Sequence, residues 1–226
     1  LLPFTRKFTF KRANHVITNS IDVADEIENS AGIPRSKITV IRNPSADPEI
    51  LTQSRIKIDH PWLDDQSVPT AIAVGRLSIQ KDYPTLLKAH AIVSESTACK
   101  LGIVGEGEDR KTLMALTEKL GTSADVDFIG YSNNPWSYMS RASVYLLTSA
   151  WEGSPSSLIE AMTLGIPSIA TDSPGGTSEV LDQGKFGILK AVGDFNGIAE
   201  AWLEVLQNPE LAKQRVDSGI SESENY

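Results

Sequence analysis

Five short apolar runs and a still shorter sixth, each followed by a helical stretch, occupy the chain from Val68 onward, and this alternation restricts the fold more than any other feature. The runs cover residues 69–75, 100–105, 125–130, 143–148, 167–171 and 187–189. Helical patterning fills residues 82–95, 108–120, 135–141, 156–164, 177–181, 194–206 and 209–218; in the first of these Leu86, Leu87, Ala89, His90 and Val93 form one apolar face. Strands that are apolar at nearly consecutive positions, without a polar alternation, must be covered on both faces. With helices between them they imply an α/β fold, a parallel sheet with helices on both faces. Ligands of such sheets bind at the carboxyl ends of the strands, so functional residues are expected in the loops after the runs.

The first 65 residues are less regular. Residues 15–20 and 37–41 read as short strands, with a helix between them capped by Asp22 and running to about residue 30. Pro44, Pro48 and Pro61 make residues 44–68 a connector with weak local structure.

Charge and length exclude several classes. A net charge of −8 opposes non-specific nucleic-acid binding. Arg6, Lys7, Lys11 and Arg12 interleave with Phe4, Phe8 and Phe10, which fits either a solvated helix face or contact with an anionic membrane surface. No apolar stretch reaches the roughly 18 to 20 residues of a membrane helix, and no signal peptide is visible at the start. Cys99 is the only cysteine, so no intrachain disulfide forms, and its apolar neighbours favour a packed thiol over a nucleophile. The three histidines, His15, His60 and His90, have neither metal-ligand spacing nor an evident base partner in sequence; His90 falls on an apolar helix face.

Two loops carry the chemistry. Arg76 and Lys81 follow the first run, and two cations around one strand-to-helix loop form a clamp for an anion unless both are simply solvated. After the fourth run comes Ser149–Ala–Trp–Glu–Gly–Ser–Pro–Ser–Ser–Leu–Ile–Glu160. Ser154 suits the N-cap and Pro155 the first helical position, leaving the N–H groups of Ser156, Ser157 and Leu158 to face an anion. Glu152 and Glu160 bracket that helix start. Beside phosphate they would repel it, so they fit hydroxyl groups on either side, as in a ligand with the order sugar, diphosphate, ribose. The alternative is a surface Glu160 and a Glu152 that merely favours the helix dipole. Val104–Gly–Glu–Gly–Glu–Asp109 lacks the third glycine of a dinucleotide fingerprint, and its acidic residues oppose pyrophosphate there. Gly175 and Gly176 permit close approach of backbone to a ligand, or form a plain tight turn.

Together these segments resemble the retaining glycosyltransferases of family 4, which have the GT-B architecture. The resemblance is carried by Gly75–Arg76–Leu77 with Lys81, Val104–Gly–Glu–Gly–Glu108, Phe128–Ile–Gly130, Glu152–Gly153 through Glu160–Ala161–Met162, and Gly175–Gly176 with Glu179. They run in the family's order over residues 69–206, and the 152–160 segment looks like its Glu-seven-residues-Glu motif. The resemblance implies a Rossmann-like donor-binding domain at 68–226 that stops short of the family's final crossover helix, a connector at 45–67, and the tail of an N-terminal GT-B domain with its linker at 1–44. It implies that Arg76 and Lys81 bind the donor diphosphate and, with Glu152, form the catalytic group. Glu160 would hold the ribose, Glu152 and the amides after Gly153 (Ser156, Ser157, Leu158) the sugar or phosphate, and Gly130, Tyr131 and Ser132 the base. Gly105, Gly175 and Gly176 complete the donor-binding set.

The implied donor is a UDP-, GDP- or ADP-sugar, with no metal or other cofactor. The implied acceptor is a glycan or lipid-linked sugar, reached through the rest of the N-terminal domain. The implied setting is cytoplasmic, with peripheral contact at the inner face of a membrane. Because the chain lacks an initiator Met and most of that first domain, it is expected to bind donor without completing transfer. An isomerase or epimerase of the same architecture and a non-catalytic binding module are the competing readings; neither follows from fold alone.

Overall fold

The computed structural model describes residues 10–64 and 67–223. Its first unit is a two-stranded parallel sheet, β1 (Val16–Thr18) and β2 (Ile38–Val40), crossed by α1 (Ile21–Ala31). Val16, Ala24, Ile27, Ile33 and Ile38 close a small apolar cluster between them. The cap of α1 is Ser20, whose hydroxyl accepts the Val23 N–H at 3.3 Å, rather than Asp22, which lies in the first turn. Gly32, in left-handed conformation at φ 67°, ends the helix. Of the N-terminal basic stretch, Phe4, Arg6, Lys7 and Phe8 lie outside the described residues; Lys11 and Arg12 are exposed.

The proline-rich connector is more ordered than its composition suggests. It forms two short helices, α2 (Glu49–Gln53) and α3 (Pro61–Asp64), anchored by the buried Ile50 and Leu63. The Gln53 and Ser54 carbonyls accept bonds from Asn134, Ser137, Ser140 and Arg141, and His60 pairs with Asp127 at 3.0 Å. Burial of two large side chains and these distant donors outweigh the weak local propensity.

The main sheet holds β3 (Thr70–Val74), β4 (Lys100–Val104), β5 (Val126–Gly130), β6 (Val144–Leu147), β7 (Ser168–Thr171) and β8 (Ile188–Lys190). All pairings are parallel, in the order β5-β4-β3-β6-β7-β8. Alternate strand residues serve opposite faces. Ala71, Ala73, Leu101, Ile103, Val144, Leu146 and Ile169 join one core with α4 (Tyr83–Ser96), α5 (Arg110–Leu120) and α9 (Phe195–Gln207). Here α6 denotes Trp136–Met139, α7 Ser156–Thr163 and α8 Thr177–Val180; α10 (Pro209–Ser223) follows α9. Ile72, Val104, Tyr145, Leu147 and Ala170 join the other core with α6, α7 and Leu63 of the connector. His90 and Cys99 are packed as expected: His90 is fully buried against Trp202, and burial pushes the Cys99 thiol up to about 11. The strand order reverses direction between β3 and β6, the position at which open α/β sheets form a ligand crevice.

Candidate functional site

A cleft of about 570 Å³ opens at the carboxyl ends of β3, β4, β5 and β6. Three loops form its floor by bonding backbone to backbone. The Gly75 N–H donates to Val104 O at 3.0 Å, the Leu77 N–H to Glu106 O at 3.0 Å, and the Gly105 N–H to Gly130 O at 2.8 Å. The approach is too close for side chains: a Cβ on Gly105 would lie 1.9 Å from Gly75 O, and one on Gly107 2.2 Å from Leu77 O. The Gly-Glu-Gly segment therefore joins loop to loop. Glu106, on the cleft wall, is drawn back by Arg110, which donates to it at 2.8 Å and also to Phe128 O.

Arg76 and Lys81 both line the cleft. Arg76 is exposed and makes no ion pair among the described residues. Lys81 reaches across to Glu152, Nζ to Oε1 2.5 Å, with only 17% and 7% of the two side chains exposed. The Ser149 hydroxyl donates to the same carboxylate oxygen at 2.6 Å. This pairing resolves the difficulty of a carboxylate beside an anion site: the Glu152 charge is already balanced, and Arg76 remains free of protein partners there.

The start of α7 differs from expectation in two respects. Pro155, at φ −77° and ψ 83°, is the cap, and the buried Ser154 hydroxyl has no partner among the described residues. The Leu158 N–H is used by Pro155 O at 2.9 Å and its side chain is buried in the core, so Leu158 does not face the cleft. The first-turn N–H groups of Ser156 and Ser157 have no acceptor among the described residues, and both residues line the cleft. They carry the positive end of the helix dipole. Tyr145 holds the Ser157 hydroxyl at 2.7 Å, and Ser45 holds that of Ser156 at 3.0 Å.

Glu160 lies on the far wall with Tyr131, Ser132 and Pro135; Tyr131 is 76% exposed and Gly130 sits behind them in the floor. Burial raises the Glu160 carboxyl above the ordinary carboxylate range, and the Trp136 indole N–H offsets part of that shift. A raised folded-state value means that ionised Glu160 opposes folding; the opposition fades as pH falls through the raised value toward the ordinary carboxylate value and is gone below it. Glu160→Gln is therefore expected to raise the urea midpoint at pH 7, with the advantage shrinking toward pH 4. A lower midpoint at pH 7 would show that ionised Glu160 supports the fold instead.

Gly153, Gly175 and Gly176 do not line the cleft; they shape its wall. The Glu152 N–H donates to Pro174 O at 2.8 Å and the Gly176 N–H to Gly153 O at 2.9 Å. A Cβ on Gly175 would lie 1.8 Å from Glu152 O, and one on Gly153 2.9 Å from the Asn19 amide. The close approach that these glycines permit is thus to other parts of the protein: backbone at Gly175 and Gly176, the Asn19 side chain at Gly153. Glu179 ties this wall to the first unit, accepting the Ile21 N–H at 2.8 Å and pairing with Arg42, Nε at 3.0 Å. Pro135 joins the cleft although sequence spacing does not mark it, and so do Ser154 and Glu106, which the sequence marks only as a helix cap and as part of an acidic turn; the Asn–Pro–Trp turn after β5 is the local sign that could have drawn attention to the Pro135 wall.

Residues 54–221 match the protein family described as "Glycosyl transferases group 1". The chain is 27% identical over 210 residues to N-acetylgalactosamine-N,N'-diacetylbacillosaminyl-diphospho-undecaprenol 4-alpha-N-acetylgalactosaminyltransferase of Campylobacter jejuni, covering 93% of this chain and 55% of that enzyme. It is 25% identical over 215 residues to the lipopolysaccharide core biosynthesis glycosyltransferase LpsE of Rhizobium meliloti, covering 95% of this chain and 60% of that protein. Among solved structures, Anabaena HepE in complex with UDP superposes with a TM-score of 0.80 at 21% identity, over 94% of this chain and 59% of that one. The chain thus spans between 55% and 60% of the length of these two relatives.

Proposed function

The chain belongs to the glycosyl transferases group 1 family, and on that basis we propose that its cleft binds the nucleotide-sugar donor of a retaining glycosyltransferase. One observation carries the proposal. The fold gathers two cations, two unbonded helix-start amides and the separated carboxylates of Glu152 and Glu160 around one cleft at the sheet's reversal point, with the Glu106 carboxylate drawn back by Arg110. A diphosphate fits between Arg76, Lys81 and the Ser156 and Ser157 amides. Ribose hydroxyls fit Glu160, and a hexose hydroxyl fits Glu152. As the bond to the sugar breaks, negative charge grows on the leaving diphosphate, and the cations and helix start stabilise it where it develops. No metal is assigned to that task.

The proposed acceptor is a lipid-linked sugar or polysaccharide precursor, in line with the undecaprenol-linked substrate in the name of the Campylobacter relative. Peripheral work at the cytoplasmic face of a membrane suits such an acceptor; none of the described helices is long and apolar enough to cross one. The donor domain at 68–226, the connector at 45–67 and the N-terminal tail at 1–44 are the proposed divisions. Donor binding is the activity assigned to this cleft.

Calorimetric titration with UDP, GDP and ADP tests the assignment. One diphosphate is expected to bind preferentially, with affinity reduced about tenfold or more in Arg76→Ala and in Glu160→Ala. Excess EDTA is expected to leave that affinity unchanged. Affinity indifferent to both substitutions would remove the donor site from this cleft, and affinity abolished by EDTA would require a metal.

A further inference from the structure

Beneath the start of α7 lies a buried hydroxyl that the donor assignment does not use. Tyr145 sits in β6, fully buried in the core that also holds Leu147, Leu158 and Ile159. Its phenol oxygen is 2.7 Å from the Ser157 hydroxyl oxygen, and among the described residues this is the one hydrogen bond the phenol makes. The two oxygens carry two protons, and only one proton can lie in the bond. If Ser157 donated, the phenol proton would be left in an apolar core without an acceptor. A buried donor without a partner loses its hydration and gains nothing in return. Nor does the phenol shed its proton, because burial pushes its titration well above the ordinary tyrosine value. Tyr145 therefore donates and Ser157 accepts. The Ser157 proton is turned away from Tyr145, and Ser157 lines the cleft.

We propose that Tyr145 is a positioning residue that fixes the Ser157 hydroxyl as a donor toward the cleft, so that Ser157 meets a phosphate oxygen with its O–H as well as its N–H. The proposal rests on the donor assignment for its ligand. It adds a side-chain donor to the helix-start amides and identifies the residue that sets its direction. A free serine hydroxyl both donates and accepts, and it rotates to suit its partner. The outer oxygens of an ionised diphosphate only accept, so a hydroxyl already committed to donating is matched to them. Its rotational freedom is lost on folding rather than on binding, which favours the bound state. The bond received from the phenol also polarises the Ser157 O–H and strengthens the bond it makes onward. Tyrosine suits the task because its ring is packed in the core while its oxygen reaches the helix start.

A double-mutant cycle tests this, with UDP, GDP, ADP and inorganic pyrophosphate as calorimetric probes of wild type, Tyr145→Phe, Ser157→Ala and the double variant. Tyr145→Phe keeps the ring in the core and removes only the hydroxyl. The double variant removes both partners, so it leaves no buried phenol unpaired and stays informative if Ser157→Ala alone folds poorly. Ser157→Ala is expected to weaken binding of the preferred diphosphate about tenfold, and Tyr145→Phe about threefold. The double variant is expected to bind as Ser157→Ala does, because the phenol acts on the ligand only through the serine. A merely structural Tyr145 would lower the urea midpoint of Tyr145→Phe and leave its diphosphate affinity at the wild-type value, which overturns the proposal. Losses that add in the double variant, or a double variant that binds as wild type does, overturn it as well. If none of the four probes binds wild type, the donor assignment itself fails and takes this proposal with it. If wild type binds and Tyr145→Phe binds equally well, only the role of Tyr145 falls.

Discussion

Replacing Lys81 by Ala is expected to reduce nucleoside-diphosphate affinity by about 100-fold or more and to destabilise the chain by roughly 3 kcal/mol. Two losses combine. The anion site keeps Arg76 but loses one of its two lining cations. At the same time the Glu152 carboxylate, only 7% exposed, keeps its bond from Ser149 but no longer has an opposite charge at 2.5 Å. An unpaired carboxylate in that place repels the incoming phosphates, which no uncharged loss at the surface would do. The second effect can be separated from the first. Lys81→Met with Glu152→Gln removes both charges and is expected to recover most of the stability while remaining unable to bind tightly. Urea denaturation and calorimetry on the three proteins measure both terms. Stability and affinity within twofold of wild type in Lys81→Ala would show that the Lys81–Glu152 pair serves neither the fold nor the ligand.

Gly175→Ala is expected to damage the site as severely without touching a charged group. The backbone there has φ 112°, a region that L side chains rarely adopt, and the new Cβ would lie 1.8 Å from the Glu152 carbonyl oxygen. Either the Pro174–Gly176 turn or the Glu152–Gly153 loop must move. The expected cost is about 3 kcal/mol or more, from strain and overpacking together. Because the Glu152 N–H is held by Pro174 O, the displacement is transmitted to the Lys81–Glu152 pair. Loss of diphosphate binding at temperatures where the variant remains folded is the expected result. Gly121→Ala is the control: its φ of 73° is also positive, but no atom lies within 4 Å of the added Cβ, so it is expected to lose stability by backbone strain alone and to keep binding. Normal affinity in folded Gly175→Ala would show that this wall does not shape the site.

The strands and helices of residues 69–206 could be read from the chain because their signals are local. A run such as Thr70–Val74 is buried on both faces whatever its neighbours, and the repeat of α4 declares its apolar side. Helix starts were less legible. Ser20 and Asp22 both suit a cap, and which hydroxyl or carboxylate meets a free N–H depends on where the chain enters the helix. Ser154 has the right chemistry for a cap but is turned away, because Pro155 takes a conformation that places its own carbonyl under Leu158. The connector misled for a related reason. Three prolines lower its intrinsic order, whereas Ile50, Leu63 and His60 gain theirs from surfaces built by residues far along the chain.

By itself the sequence determined the α/β alternation, the glycosyltransferase motifs and therefore the loops in which the candidate site residues lie. Tertiary structure alone decided what those residues do to one another. Lys81 and Glu152 are 71 positions apart and become partners only because β3 and β6 are neighbours in the sheet. Gly105 closes on Gly75, and Gly175 on Glu152, for the same reason. Periodicity and capping are set within one or two turns of chain, whereas ion pairing, backbone clearance and the burial that shifts Glu160 depend on distances fixed only when separate strands take their order and register.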